Sequence, residues 1–281
     1  QKELEKTVSN KQVDERFWKP EVDASGNGYA VIRFLPAPDG ETVPWAKVYS
    51  HAFQGPGGWY IENSLTTIGD KDPVGEVNRR LWNSGEDADK DTARKQKRKL
   101  SYYSNIYVVK DPKHPENEGK VFLYKYGKKI HDKILAAMQP EFQDETPVIV
   151  FDLWEGANFK LKIKKVAGFW NYDSSEFDSI SALSADDTEL EATWKSEHSL
   201  EAFTAADQFK SYEDLEKRLN LVLGSAPRPT APSVDSEEYE PVAAPQSDFR
   251  AKMSAPTPVK QEAVVEDDDA LSYFASLASD D

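Results

Sequence analysis

The 281-residue chain has no cysteine. That excludes a disulfide scaffold, a zinc or iron–sulfur site built on thiolates, and a cysteine nucleophile. No apolar run approaches the roughly 20 residues that a membrane-spanning helix needs, and no signal-peptide pattern is present. The chain begins at Gln1 rather than Met, which leaves room for preceding residues. The four histidines, His51, His114, His131 and His198, fall at no metal-ligand or catalytic-triad spacing. Gly119 and Gly127-Lys128-Lys129 lack P-loop spacing, and no Ser or Thr follows the lysine pair. Asp267-Asp268-Asp269 lies in a stretch that offers no rigid support for a two-metal site. These absences argue against an enzyme such as a nuclease. Positive charge is also short overall. Lys and Arg number 35 against 50 Asp and Glu, a formal net charge of −15, which taken whole argues against a nucleic-acid binder.

The charge is unevenly spread, and that reverses the inference. Residues 90–133 hold thirteen Lys/Arg against five acids, a net of +8. Residues 221–281 hold Arg228, Arg250, Lys252 and Lys260 against twelve acids, a net of −8. The last 60 or so residues contain seven of the 17 prolines among Ala, Ser and Glu. Such a stretch buries too little apolar surface to offset its ordering entropy, so the composition predicts a disordered acidic tail over 225–281. At its end Glu266, Asp267, Asp268 and Asp269 precede Leu271, Tyr273, Phe274 and Leu277. Apolar residues at helical spacing behind acids suit a segment that orders on a partner; the plain alternative is a solubilising tail.

From Tyr29 to Gly168 the signals are mostly strands and turns. Tyr29–Leu35 is a β-rich run stopped by Pro36. Val43–Phe53 and Trp59–Leu65 flank the turn Gly55-Pro56-Gly57-Gly58 and predict a hairpin. Ser101–Lys110 and Lys120–Tyr126 read as strands, as do Pro147–Leu153 and Asn158–Val166 around Glu155-Gly156. Ser84–Ala93 reads as a mobile loop. Ile130, Ile134, Leu135 and Met138 form a helical stripe. Ser211 with Asp214 is a capping box ahead of Leu215, Leu219 and Val222, with Gly224 as the stop. Short strands with few helices predict a mainly β chain built on a small β-barrel with helical additions.

The densest cationic stretch, Arg94-Lys95-Gln96-Lys97-Arg98-Lys99, is followed at once by Tyr102, Tyr103 and Tyr107. The next strand carries Tyr124, Lys125 and Tyr126, then Lys128 and Lys129, which join the candidate phosphate-binding cations. Single-strand binding without sequence preference needs both ingredients: cations that follow phosphates and rings that stack on unpaired bases. Adjacent Tyr102 and Tyr103 point to opposite faces of a regular strand, so at least one belongs to a core. In Asn158–Val166, Phe159, Leu161 and Ile163 alternate with Lys160, Lys162 and Lys164, an apolar face backed by ammonium groups. Those lysines either face a nucleic acid or guard an edge strand.

Several of these runs carry a family resemblance. Ala30-Val31-Ile32-Arg33-Phe34-Leu35-Pro36, Lys97-Arg98-Lys99, Val108-Val109-Lys110-Asp111-Pro112 and Pro115-Glu116-Asn117-Glu118-Gly119-Lys120-Val121-Phe122 appear in order. Gly127-Lys128-Lys129-Ile130, Trp154-Glu155-Gly156-Ala157-Asn158-Phe159 and Asn171-Tyr172-Asp173 continue the series. From about Gly26 to Asp173, and again near Ser211–Gly224, the chain resembles the T-even-type bacteriophage single-stranded DNA-binding proteins, the helix-destabilising proteins of phage replication. The resemblance implies a five-stranded OB-fold barrel in a core over 26–224, between an N-terminal arm (1–25) and the acidic tail. It implies a DNA cleft with Lys97, Arg98, Lys99 and Lys125 among its cations and Arg33 nearby. Tyr102, Tyr103, Tyr124, Phe169 and Tyr172 match its aromatic positions, with Trp82 matched through Leu81-Trp82-Asn83. It also implies roles in DNA replication, recombination and repair in the infected host's cytoplasm. The tail would bind polymerase, helicase loader, primase and recombination mediator, with self-association along DNA. An RNA-binding translational regulator using the same cleft is the alternative.

Two departures stand out. The family's zinc is held by one histidine and three cysteines; here His51 matches the histidine, Ser64 and Gly75 take two cysteine positions, and the third falls in a gap near Pro73. One ligand of four does not hold zinc, so the subdomain over about 50–93 is expected to be zinc-free and packed by Trp59, Ile61 and Trp82. At the N-terminus, Gln1-Lys2-Glu3-Leu4-Glu5-Lys6-Thr7 does not match the family's short basic segment for head-to-tail cooperativity.

Overall fold

The computed structural model describes residues 14–142 and 144–225. Its centre is β2 (Gly28–Phe34), whose residues from Ala30 to Phe34 are all buried, on both faces of the strand. β2 pairs antiparallel with β5 (Lys99–Lys110), with Ile32 opposite Val108, and with β7 (Ala157–Val166), with Ala30 opposite Leu161. β5 is long enough to serve three neighbours. Its first residues pair with β3 (Ala46–Gly55), its middle with β6 (Val121–Tyr126) and its end with β2. β3 turns at Gly55–Gly58 into β4 (Gly58–Asn63), the hairpin expected from the glycine-rich turn. β1 (Phe17–Trp18) joins β6 in the single parallel pairing among the described residues. It draws part of the expected N-terminal arm into the sheet, where the Trp18 indole donates to Asp111 at 2.8 Å. β8 (Phe169–Asn171) and β9 (Glu176–Ile180) both pair with β7.

The chain is therefore mainly β, a mixed sheet with several helices. No pairing among the described residues closes the sheet into the expected five-stranded barrel. One core lies where Ile32, Phe34, Ile106, Val108, Phe159 and Leu161 meet α3 (Lys128–Met138) through Ile130 and Ile134. Of the expected stripe, Ile130 and Ile134 dock and Met138 packs partly against this core, whereas Leu135 is 40% exposed. Pro147–Leu153 is not the expected strand. It is an irregular segment with local bonds such as Asp152 N to the Ile149 carbonyl, and its Val150, Phe151 and Leu153 are buried. The apolar run marked burial, not extension.

A second core joins the β3–β4 hairpin to α1 (Pro73–Asn83) and α5 (Tyr212–Leu223) through Phe53, Tyr60, Leu65, Val74, Leu215, Leu219 and Val222. Trp59 and Ile61, expected inside it, are 53% and 61% exposed, because the two-residue period of β4 gives the inward position to Tyr60. Trp82 is half-buried. The expected mobile loop contains α2 (Asp87–Lys95) instead. Asp87 and Asp89 sit in its first turn and Arg94 and Lys95 in its last, the arrangement that complements a helix dipole. The capping box is formed as read: the Ser211 side chain accepts from Asp214 N at 3.2 Å, and Gly224 closes α5 at φ 72°. Before it, α4 (Asp187–Lys195) starts at the N-cap Asp186. Among the described residues no helix is long and apolar enough to cross a membrane. The expected tail residues Asp267, Asp268, Asp269, Tyr273 and Phe274 lie outside the described residues.

Candidate nucleic-acid interface

The basic stretch begins at the C-terminal end of α2, crosses a turn and runs into β5. In that turn Arg98 lies over Tyr49 of β3, its guanidinium carbon 4.0 Å from the ring centroid. Lys47 Nζ approaches the same ring at 5.2 Å. β3 supplies both residues from one face, two positions apart, which is why they converge on Arg98. The ring is held in turn by the 3-10 turn Leu65–Ile68: Tyr49 N donates to Thr67 Oγ1 at 2.9 Å, and Arg98 donates to Thr66 Oγ1 at 3.0 Å. Lys99 is exposed beside this group and Lys97 half-buried. Lys47, Tyr49 and Thr66 are absent from the residues that the sequence singled out. Only the strand pairing of β3 with β5 brings them to Arg98, and Lys47 and Tyr49 alternate on one strand as the sole local signal.

The expected residues divide between several environments. Arg33 is fully buried, and its guanidinium donates to the carbonyls of Asp152, Leu153 and Ser181 at 3.1, 3.4 and 2.7 Å. Gly156 has room for no side chain there, since a Cβ would lie 2.9 Å from that guanidinium. Burial lowers the arginine pKa from its usual value, against the pull of Asp152. This correction has a simple cause: the expected phosphate contact would need a charge that the fold has already spent on three backbone carbonyls.

Tyr102 and Tyr103 point to opposite sides of β5, as two neighbours on a strand must. Tyr102 is buried and stacks on His131 with centroids 3.8 Å apart, and Tyr124 is buried edge-on to Trp18 at 5.3 Å. Burial drives the Tyr124 pKa well above the ordinary tyrosine range. Tyr103 is half-buried; its ring stacks on Phe203 at 4.4 Å and Lys125 Nζ lies 5.5 Å from it. These three expected stacking residues are packing residues in this structure. Tyr172 is half-buried against the first core, and Trp82 lies under Arg94 with 5.3 Å between ring and guanidinium carbon. Lys125 and Lys129 are exposed, whereas Lys128 is half-buried and bonded to Asp132 at 2.8 Å.

Phe169 has the opposite environment. The β7–β8 hairpin turns on Ala167 and Gly168, both at positive φ, 51° and 89°. It presents Phe169 and Trp170 to solvent beside exposed Lys164 and Lys165. Trp170, like Lys47, Tyr49 and Thr66, is absent from the residues that the sequence singled out. Further along β7 the lysine row is neutralised rather than open, for Lys160 pairs with Asp178 at 2.9 Å and Lys162 with Glu176 at 2.6 Å.

Where the resemblance implies zinc, the structure holds a hydrogen-bonded cluster. Asp72, the N-cap of α1, accepts from Ser64 Oγ at 2.9 Å and from the backbone N–H of Leu65, Val74 and Gly75 at 3.1, 3.0 and 3.2 Å. His51 Nε2 lies 3.3 Å from Asp72 Oδ1, and its Nδ1 lies 2.9 Å from the carbonyl oxygen of Gln96. Desolvation pushes the Asp72 carboxyl up, but the bonds from His51, Ser64 and Gly75 outweigh it and hold its pKa below the usual value. One imidazole and one carboxylate, both already engaged, do not fit a tetrahedral zinc centre. Among the described residues no group of three or more His, Cys, Asp or Glu could hold a metal.

Comparison with known proteins gives a consistent picture. The family model described as gp32 DNA binding protein like matches residues 26–223. A single-stranded DNA-binding protein of Enterobacteria phage T2 is 43% identical over 233 residues, which cover 82% of this chain and 77% of that protein. One of Enterobacteria phage T4 is 42% identical over 233 residues with the same coverage. A third, of Escherichia phage SV14, is 49% identical over 59 residues, 21% of this chain and 52% of its own.

Proposed function

The chain belongs to the gp32 DNA-binding-protein-like family, and from that membership we propose that it is a non-enzymatic, sequence-independent single-stranded DNA-binding protein of a T-even-type phage. The carrying observation is the Lys47–Tyr49–Arg98 group on β3 and the turn before β5, cation and ring held together on one surface inside the family-matched region. Lys97, Arg98, Lys99, Lys125, Lys128 and Lys129 follow phosphates in this reading, and Phe169 stacks on bases. The core over 26–224, an OB-type arrangement around the shared strand β5, covers unpaired DNA in replication, recombination and repair. The acidic tail recruits polymerase, helicase loader, primase and recombination mediator in the host cytoplasm, and neighbouring copies associate along the strand.

A salt titration with oligo-dT, duplex DNA and an RNA strand of equal length tests the reading. About four phosphate contacts at roughly −0.7 each give a log–log slope near −3 for the single strand, with far weaker duplex binding. A slope near zero would make the cations a solvated face, and preference for RNA would favour a translational regulator.

A further inference from the structure

The His51–Asp72 cluster is connected, by two separate routes, to the cations assigned to DNA. On the first route His51 Nδ1 and Asn78 Nδ2 both meet the Gln96 carbonyl, at 2.9 and 3.2 Å. Gln96 is the one uncharged residue in the middle of Arg94–Lys99, and it is buried while its neighbours Lys95 and Lys97 are not. The backbone of the basic strap is thus pinned at its midpoint to a histidine of β3 and an asparagine of α1. On the second route Ser64 Oγ, which donates to Asp72, lies 3.0 Å from Thr66 Oγ1, and that hydroxyl receives Arg98. Asp72 anchors both routes and also starts α1 as its N-cap. A zinc ion would tie the hairpin to the helix; here a chain of hydrogen bonds through buried His51, Ser64, Asp72 and Asn78 does so, and hydrogen bonds are stronger in such surroundings than in water.

We propose that His51, Asp72, Ser64 and Asn78 form a metal-free clasp that holds the Arg94–Lys99 strap in the position its cations need to follow a DNA backbone. His51 is the positioning residue, donating from Nδ1 to Gln96 and meeting Asp72 through Nε2, and Thr66 relays the same anchor to Arg98. The inference rests on the single-strand reading for its consequence, but the clasp itself can be tested without DNA.

The test compares the full chain with His51→Gln, which keeps a group near Asp72 but cannot reach Gln96, and with Thr66→Val, a change at a half-buried position that keeps side-chain shape. Limited trypsin digestion at Arg94–Lys99 reads the strap, and an oligo-dT salt titration reads the phosphate contacts. The expected result is at least about tenfold faster cleavage in His51→Gln. Each variant should also lose about 0.7 from the salt slope, one single-strand contact, with the circular dichroism spectrum kept. Imidazole nitrogen NMR of the unaltered protein should show a proton on His51 Nδ1. Chelator should change neither its melting temperature nor its affinity. Stoichiometric zinc in the purified protein, an unprotonated Nδ1, or variants with unaltered cleavage and slope overturn the clasp. If His51→Gln does not fold, Thr66→Val and the NMR measurement decide. If the unaltered protein ignores oligo-dT, the single-strand reading fails while the trypsin and NMR results still judge the clasp.

Discussion

At the scale of single residues, Arg33 shows why a charge in a recognisable run is not by itself a binding residue. Its run, Ala30–Leu35, is the central strand, and the strand period turns position 33 toward the segment 152–158 and Ser181. Replacing Arg33 with Met would leave the Asp152 and Ser181 carbonyls without their donor, while the Leu153 carbonyl keeps its bond from Leu183 N. The expected cost is about 3 kcal/mol, read as a lower urea midpoint, while the salt slope of the folded protein stays unchanged. A reduced slope in folded Arg33→Met would return the residue to the phosphate contacts. Glu197 offers a pH test. Both of its carboxyl oxygens are buried without a hydrogen-bond partner, and desolvation, with help from the Glu41 charge, pushes its pKa to about 8. Between the unfolded value and 8 the folded state binds more protons than the unfolded one, so this group's contribution is present at low pH and lost as pH rises. The melting temperature of the unaltered protein should fall from about pH 5 to pH 8 relative to Glu197→Gln. Parallel curves for the two proteins would sink the assignment.

At the scale of elements, hairpins and caps could be read in the sequence because their signals are local. The glycines of the β3–β4 turn and the Ser211–Asp214 box each act within four residues. Other elements were hidden by long-range causes. α1 begins at Asp72-Pro73, a cap followed by proline at the first helical position, a signal absent from those singled out in the sequence. α2 was masked by its charge, which serves its dipole. Tyr124 and Tyr102 looked like stacking rings beside cations, and only pairing with β1 and packing on α3 made them core. The β7–β8 hairpin is the element where exposed rings and lysines do coincide. Phe169→Ala and Trp170→Ala should each weaken oligo-dT binding by about 1–3 kcal/mol if the ring stacks on a base. Because both rings are solvent-facing, the melting temperature should barely move. Undiminished affinity in the double variant would remove the hairpin from the interface.

At the scale of the whole molecule, the charge of −15 is a sum over parts with different work to do. Within the described residues many opposite charges are spent on each other: Lys160 with Asp178, Lys162 with Glu176, Arg94 with Asp91. Exposed Lys99, Lys125 and Lys129 lie in the +8 stretch, and the −8 stretch begins where α5 ends. A covalently attached acidic segment is present at high effective concentration, so it competes with phosphates for those cations. Removing the residues after Gly224 should therefore strengthen oligo-dT binding at low salt by roughly tenfold, and screening should shrink the gain as salt rises. Equal affinity of the full and shortened chains at every salt concentration would confine the tail to contacts with other proteins. A gain that persists at high salt would assign the competition to Leu271, Tyr273 and Phe274 rather than to the acids, because apolar contacts are not screened.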